Sequence, residues 1–202
     1  MAFRIVPIVE GHGEEAAVPV LFRRVIAALN LAVPIDVAHP IRQARGTLLK
    51  QGGIERAVGL AAIEIGESGT IFILLDSEGE CPAELVALLA ARAQDARGDK
   101  RISVVLAHQE FEAWFLASAS SLRGTRGLSA NVSDHDNPES VRGCKEWLEN
   151  WLPPTSRYSE TTDQAALTAR FDMALAKKAR SFRKLWKEIE KICHHAQSLD
   201  PA

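Results

Sequence analysis

The sequence predicts an α/β fold: a mostly parallel sheet of about four strands with helices on both faces, followed by a C-terminal helical extension. Three observations carry that prediction. Short apolar, β-rich runs alternate with amphipathic stretches as far as Ser120. The first, third and fourth of these runs end in acidic turns. Beyond Ser120 only loop and helical patterns remain. A β-α-β-α order places strands parallel, with right-handed crossovers covering both faces of the sheet.

Phe3–Val9 is the first strand, ending at Glu10-Gly11-His12-Gly13. Val18, Leu21, Phe22, Val25, Ile26 and Leu29 then recur at helical spacing. Pro19 is expected in or near the first turn, because deeper in a helix it removes a hydrogen bond. Val33–Ala38 reads as the second strand, and Ile54–Ile65 as a helix between glycines. Thr70–Leu75 is a continuous apolar run, as expected of a strand buried on both faces, and it ends in Asp76-Ser77-Glu78-Gly79-Glu80. Pro82 opens a helix reaching about Arg97. Arg101–Ala107 is the fourth strand, and Glu110–Ala119 the helix after it. Asn137-Pro138-Glu139 looks like an N-cap with proline at the first helical position of a short helix ending near Trp151. Asp163–Lys178 and Ser181–His194 complete the expected helices. The division is residues 1–122 as the α/β domain and 123–202 as a helical extension packed on it.

The chain has 202 residues and a formal net charge of −2, which argues against a strongly basic nucleic-acid coat but leaves room for an enzyme with a local basic groove. Cys81, Cys144 and Cys193 are far apart and form no C-x-x-C pair, which suits a reduced, cytoplasmic setting. The N-terminal apolar run is too short for a signal peptide, and no stretch is long enough to span a bilayer.

Acids cluster at three strand ends: Glu10 with Glu14 after the first strand, Asp76 and Glu78 after the third, and Glu110 and Glu112 after the fourth. In an open parallel sheet, functional groups collect outside the carboxyl ends of the strands, near the point where strand order reverses. Carboxylates brought that close repel unless protons or a cation neutralise them. Ligands that are all oxygen favour a hard cation, Mg²⁺ or Mn²⁺, and no His/Cys spacing supports zinc. Taken singly, each acid is as well explained as a solvated loop residue or a helix N-terminal charge. The Gly11-His12-Gly13 turn is read as a tight strand-to-helix connection, since Glu10, Glu14 and Glu15 would repel a bare phosphate. Arg42, Arg45, Arg123 and Arg126 are the candidates for phosphate binding beside the acid edge. The basic stretch from Arg170 to Lys191 is read as a solvated helix face.

These residues carry a family resemblance. Val9-Glu10-Gly11-His12-Gly13-Glu14 resembles the opening motif of Toprim-like proteins, and Leu74-Leu75-Asp76-Ser77-Glu78 their hydrophobic strand ending in D-x-D. More closely, the chain resembles an uncharacterised bacterial family of Toprim-like proteins, a domain of unknown function often encoded beside AAA-type or ABC-type ATPases. Further matches are Cys81-Pro82, Glu110 to Ala117, Arg126-Gly127-Leu128, Lys145-Glu146-Trp147-Leu148, Tyr158 to Gln164 and Ser181-Phe182. The resemblance covers nearly the whole chain. It implies a Toprim-like, Rossmann-like fold related to that of OLD-type nucleases. It also implies Glu10, Asp76 and Glu78 as catalytic residues and Mg²⁺ (or Mn²⁺) as the cofactor. The expected function is metal-dependent phosphoryl transfer, a nuclease acting with an AAA/ABC-type ATPase partner in bacterial defence or DNA processing. The alternative is a non-catalytic regulatory or docking module of such an ATPase, and a small-nucleotide phosphohydrolase is a third reading. Glu78 stands where the family has aspartate, and Gly79 where it favours an acid, and both departures bear on activity.

Overall fold

The computed structural model describes residues 3–31 and 33–199. The remaining residues, among them both outer ends of the expected two-part division, lie outside them. The chain runs β1 (Phe3–Val9), α1 (His12–Leu29), β2 (Ile35–Val37), β3 (Ile41–Arg42), α2 (Arg45–Leu48), α3 (Gly53–Ile65), β4 (Gly69–Asp76), α4 (Pro82–Ala96) and β5 (Arg101–Ala107). Then follow α5 (Ala113–Leu116), α6 (Cys144–Glu149), a π-helical turn (Glu160–Gln164), α7 (Ala165–Thr168), α8 (Met173–Ala176) and a long α9 (Arg180–Leu199), with single 3₁₀ turns between. No helix among the described residues is long and apolar enough to cross a membrane.

Every strand pairing is parallel, and the order is β2-β1-β4-β5. Ile8 pairs with Ile73 of β4 on one side and Ile41 of β3 on the other, so β3 continues the edge that β2 begins. From β1 the chain steps outward to β2 and β3, then crosses back to β4. Strand order therefore reverses between β1 and β4, where Glu10 and Asp76 emerge.

Alternation along the strands builds two cores. Phe3, Ile5, Val9, Phe72, Leu74 and Val105 face α1 and the C-terminal helices. Val6, Ile8, Ile71, Ile73, Leu75, Val104 and Leu106 face α3 and α4. The first core is continuous with the tail: Phe182, Leu185, Ile189 and Ile192 of α9 are buried in it. Trp114, fully buried, donates its indole N–H to Ser181 Oγ at 2.8 Å, satisfying the one polar atom that burial would otherwise strand.

The structure corrects several boundaries. The second strand is only Ile35–Val37, preceded by Pro34, with the two-residue β3 added after it. Pro19 lies well inside α1 rather than in its first turn. The helix expected over Glu110–Ala119 shrinks to Ala113–Leu116, because Asp76 Oδ1 takes the Phe111 amide and Ser118 leaves helical geometry. Pro138 opens a single 3₁₀ turn rather than a helix, and α6 begins only after Gly143, whose φ is +74°. Asp172 splits the expected Asp163–Lys178 helix: its carboxylate accepts the Ala174 and Leu175 amides and caps α8 anew. Glu139 in turn accepts the Arg180 and Ser181 amides at 2.9 and 2.7 Å, which anchors the start of α9.

Candidate functional site

The reversal point between β1 and β4 opens into a cleft of about 230 Å³, lined by Glu10, Gly11, Glu14, Arg45, Asp76, Glu78, Glu112, Lys145, Glu160 and Gln164 among others. Each acid arrives by a local device. Glu14, at the third position of α1, turns back so that its Oε2 accepts both the Glu10 and Gly11 amides at 3.0 Å, which fixes the strand-to-helix turn. Glu10 Oε1 accepts the Asp76 amide at 2.6 Å and so ties the ends of β1 and β4 together. Asp76 Oδ1 accepts the Phe111 amide at 2.9 Å, linking β4 to the segment after β5. That segment carries Glu112, fully buried, whose Oε1 accepts from Tyr158 Oη at 2.8 Å and from Gln164 Nε2 at 3.2 Å.

The loops after β4 and β5 are clipped to each other. Ser77 N–H donates to the Ala107 carbonyl, Glu78 N–H to the Gln109 carbonyl, and Gln109 N–H to Ser77 Oγ. Glu78 and Gln109 are both held at positive φ, 47° and 64°, which costs an ordinary residue roughly 1–2 kcal/mol each. Such strain concentrates where surrounding structure over-determines a conformation, typically at functional sites.

Electrostatically the cleft is out of balance. Burial, then the charges of Glu14, Glu112 and Glu10, holds the Asp76 carboxyl well above its ordinary value. Burial pushes Glu14 up to about 8, with Glu10 and Glu112 adding to the shift and the two backbone amides opposing it. Burial likewise pushes Glu112 up to about 7, against the pull of Lys145 and Tyr158. Glu10 is raised too, by burial more than the Asp76 amide and Arg45 lower it. Glu112 Oε2 and Gln164 Oε1 are buried without a hydrogen-bond partner among the described residues, and so is Glu110 Oε2. A buried carboxylate oxygen without a partner is costly, and a proton or a cation relieves it.

Arg45 supplies part of the neutralisation. Its guanidinium, 13% exposed, lies 3.1 Å from Glu78, 3.3 Å from Glu80 and 3.7 Å from Glu10, and it donates to the Asp76 carbonyl at 2.5 Å. Lys145 of α6 pairs with Glu160 and is drawn upward in pKa: burial works against its charge, but Glu112, Glu160 and Asp76 more than offset that. The donor set, carboxylate oxygens with orphaned acceptors, fits a hard divalent cation in chemistry. In arrangement it is not poised: among the described residues no group of three or more His, Cys, Asp and Glu side chains is placed to hold a metal ion. Arg45 holds Glu10 and Glu78 in its place.

Of the acids singled out from sequence, Glu10, Glu14, Asp76 and Glu112 converge in this cleft. Glu78 sits at its rim, 58% exposed. Glu110 lines an adjoining cleft of about 550 Å³, together with Asp76, Glu78, Gln109, Arg142 and Lys145. Of the four arginines singled out from sequence, Arg45 alone lines these clefts. Arg42 pairs with Glu15 at 3.1 Å, Arg123 donates to the Val132 carbonyl, and Arg126 binds Asp163 at 2.7 Å, so the last two brace loops. Part of the basic tail is internally occupied: Lys184 and Lys191 both bond Glu188, and Lys177 lies 3.4 Å from the Trp186 ring centre.

Sequence reasoning missed the wall contributed by the tail. Lys145, Tyr158, Glu160 and Gln164 complete the cleft, although they lie far along the chain from the strand-end acids. Their signal was present, since Lys145-Glu146-Trp147-Leu148 and Tyr158 to Gln164 are among the family-like motifs, but nothing local to them names a role. The π-helical turn packs so tightly on α1 that a Cβ at Gly13 would stand 2.3 Å from Gln164 Oε1 and 2.6 Å from the Glu160 carbonyl oxygen. That close approach is the reason for glycine in the Gly11-His12-Gly13 turn. Asp163, bonded to Arg126 and to the Ser159 amide, holds the turn in shape.

Over residues 9–190 the chain matches the family described as Domain of unknown function (DUF4276), and it belongs to that family. No curated protein and no solved structure matches it.

Proposed function

We propose that this cleft is a divalent-metal-assisted phosphoryl-transfer site and that the protein hydrolyses phosphodiesters, as the resemblance to Toprim-like nucleases implies. The observation that carries the reading is the convergence of Glu10, Glu14, Asp76 and Glu112 at the reversal of strand order, each with its pKa pushed upward. Mg²⁺ or Mn²⁺ bound there would offset the charge of a phosphate and of the carboxylates around it. Asp76 and Glu112 Oε2 would hold the ion, with Glu78 reaching in from the rim. Glu10, which lines the cleft beside Asp76, would take a proton from an attacking water. Glu14, fixed by two amides and near-neutral at physiological pH, keeps that turn rigid and limits the negative charge that the site must carry.

Arg45 favours a second reading. Its ion pairs with Glu10, Glu78 and Glu80 already neutralise part of the cluster, as expected of a non-catalytic module that docks on an ATPase. One experiment separates the two. The protein is incubated with end-labelled DNA and RNA in Mg²⁺ or Mn²⁺, with and without an AAA/ABC-type ATPase of the kind the resemblance implies, alongside Glu10→Gln and Asp76→Asn. Metal-dependent cleavage lost in both variants supports the enzyme. No cleavage under any of these conditions, with no metal bound, leaves the docking module.

A further inference from the structure

The adjoining cleft gives that site a substrate class. Its volume of about 550 Å³ falls in the range that holds a single small ligand. One side is acidic and shares Asp76 and Glu78 with the proposed metal site. The other side is α6 and the turn before it, which present Arg142, Lys145 and, beside them, Glu146; Lys145 also pairs with Glu160. Arg142 is exposed and has no ion-pair or hydrogen-bond partner for its side chain among the described residues. Lys145 borders both clefts and joins them. Gly143, between the two, has a φ of +74°, which suits glycine.

A double helix would meet this surface badly. Duplex binding rests on a broad set of Lys and Arg contacts to two phosphate backbones. The basic residues lining the two clefts are Arg45, Arg142 and Lys145, and Arg45 is already ion-paired with Glu78 and Glu80. The acids outnumber them. One phosphate at a time, set between the acid side and the Arg142–Lys145 side, is what the charges accommodate.

We propose that this cleft is the substrate subsite and that it takes one nucleotide unit, with Arg142 and Lys145 on its phosphate oxygens. That unit is either a free nucleoside monophosphate or the terminal nucleotide of a single strand. The inference rests on the phosphoryl-transfer reading above, and its test is separable from that reading. Binding of AMP, of a short single-stranded oligonucleotide and of the matching blunt duplex is measured by calorimetry, in Ca²⁺ and again in EDTA. Wild type is compared with Arg142→Ala and Lys145→Met, and Mn²⁺ is titrated separately into each protein.

The expected result is that AMP or the single strand binds, the duplex binds at least about tenfold more weakly, and Arg142→Ala costs about tenfold in affinity. Mn²⁺ affinity stays intact in Arg142→Ala. If AMP binds and the single strand does not, the source is a free nucleotide; if the two compete, the source includes a strand end. The proposal is overturned if the duplex binds as tightly as the single strand, if neither AMP nor the strand binds, or if Arg142→Ala binds like wild type. Arg142 is exposed, so that variant reports on binding rather than folding even if Lys145→Met, which loses the Glu160 pair, is destabilised. Failure of Mn²⁺ to bind with nucleotide binding intact in EDTA would remove the metal reading and leave the subsite standing.

Discussion

Glu112 and Glu188 are the same residue type in opposite circumstances. Glu188, on α9, is only 14% exposed, yet its carboxylate lies 2.8 Å from both Lys184 and Lys191. Burial works against its charge, but the two ammonium groups more than offset that and lower its pKa. Glu112 is buried among other acids, keeps one oxygen without a partner, and is pushed up to about 7. The α9 cluster is complete as it stands. The cleft cluster is not, and a folded protein holds such a group only where the surrounding structure forces it or a ligand completes it. The contrast says more than the number of acids does: it identifies which acids have an interaction left to make.

The largest expected effect strikes the incomplete cluster. Glu10→Gln and Asp76→Asn should each lower metal-dependent hydrolysis by about a hundredfold or more, the scale on which groups around a metal act. Glu188→Gln should leave the rate within about twofold, because the α9 pairs take no part in chemistry. Initial rates on labelled single-stranded substrate check both, and equal losses in the two regions would break the comparison.

The pH dependence of stability should also divide the regions. Glu14 and Glu112 bind protons more tightly folded than unfolded, so between about pH 4.5 and their folded values the native state carries the extra protons. Stability is therefore highest in mild acid and falls as pH rises through about 7 to 8. A bound cation favours the ionised acids, so the gain in melting temperature on adding Mn²⁺ should grow from about pH 5 to about pH 9. Thermal unfolding at a series of pH values reads this. The Glu188 cluster, with its lowered pKa, loses its stabilisation only as pH falls into the acid range, the opposite slope.

A pair of glycines tests the tail's wall without touching a charge. Gly13→Ala drives a Cβ into Gln164 and the Glu160 backbone and should cost about 1–3 kcal/mol. Gly59→Ala, on α3 with nothing within 4 Å of its Cβ, should stabilise by about 0.5–1 kcal/mol. Urea unfolding of the two variants gives both signs. The smallest effect is expected from Lys191→Ala on α9, within about 0.5 kcal/mol, since Lys184 continues to pair with Glu188.

What was legible in sequence follows from how local each signal is. The strands Phe3–Val9 and Arg101–Ala107 stand where their apolar runs place them, because a mostly buried strand writes most of its length in hydrophobic residues. Glu10 and Asp76 were legible for the same reason: strand ends converge at the edge of a parallel sheet whatever lies between. The two-residue β3 and the four-residue helices were not, since so few residues carry no period. Nor was the tail's part in the cleft, where Tyr158 and Gln164 meet Glu112 across more than forty positions of sequence. The charge of Arg45 suggests a phosphate ligand, whereas its ion pairs with Glu10, Glu78 and Glu80 depend on tertiary placement that no spacing encodes.

The central proposal, that the cleft acids can take up a divalent cation, is tested most directly by titrating Mn²⁺ into the protein at about pH 8 by calorimetry, beside Asp76→Asn and Glu188→Gln. The account predicts saturable binding in wild type and in Glu188→Gln, abolished in Asp76→Asn. Absence of binding in wild type, or binding unchanged in Asp76→Asn, would contradict it.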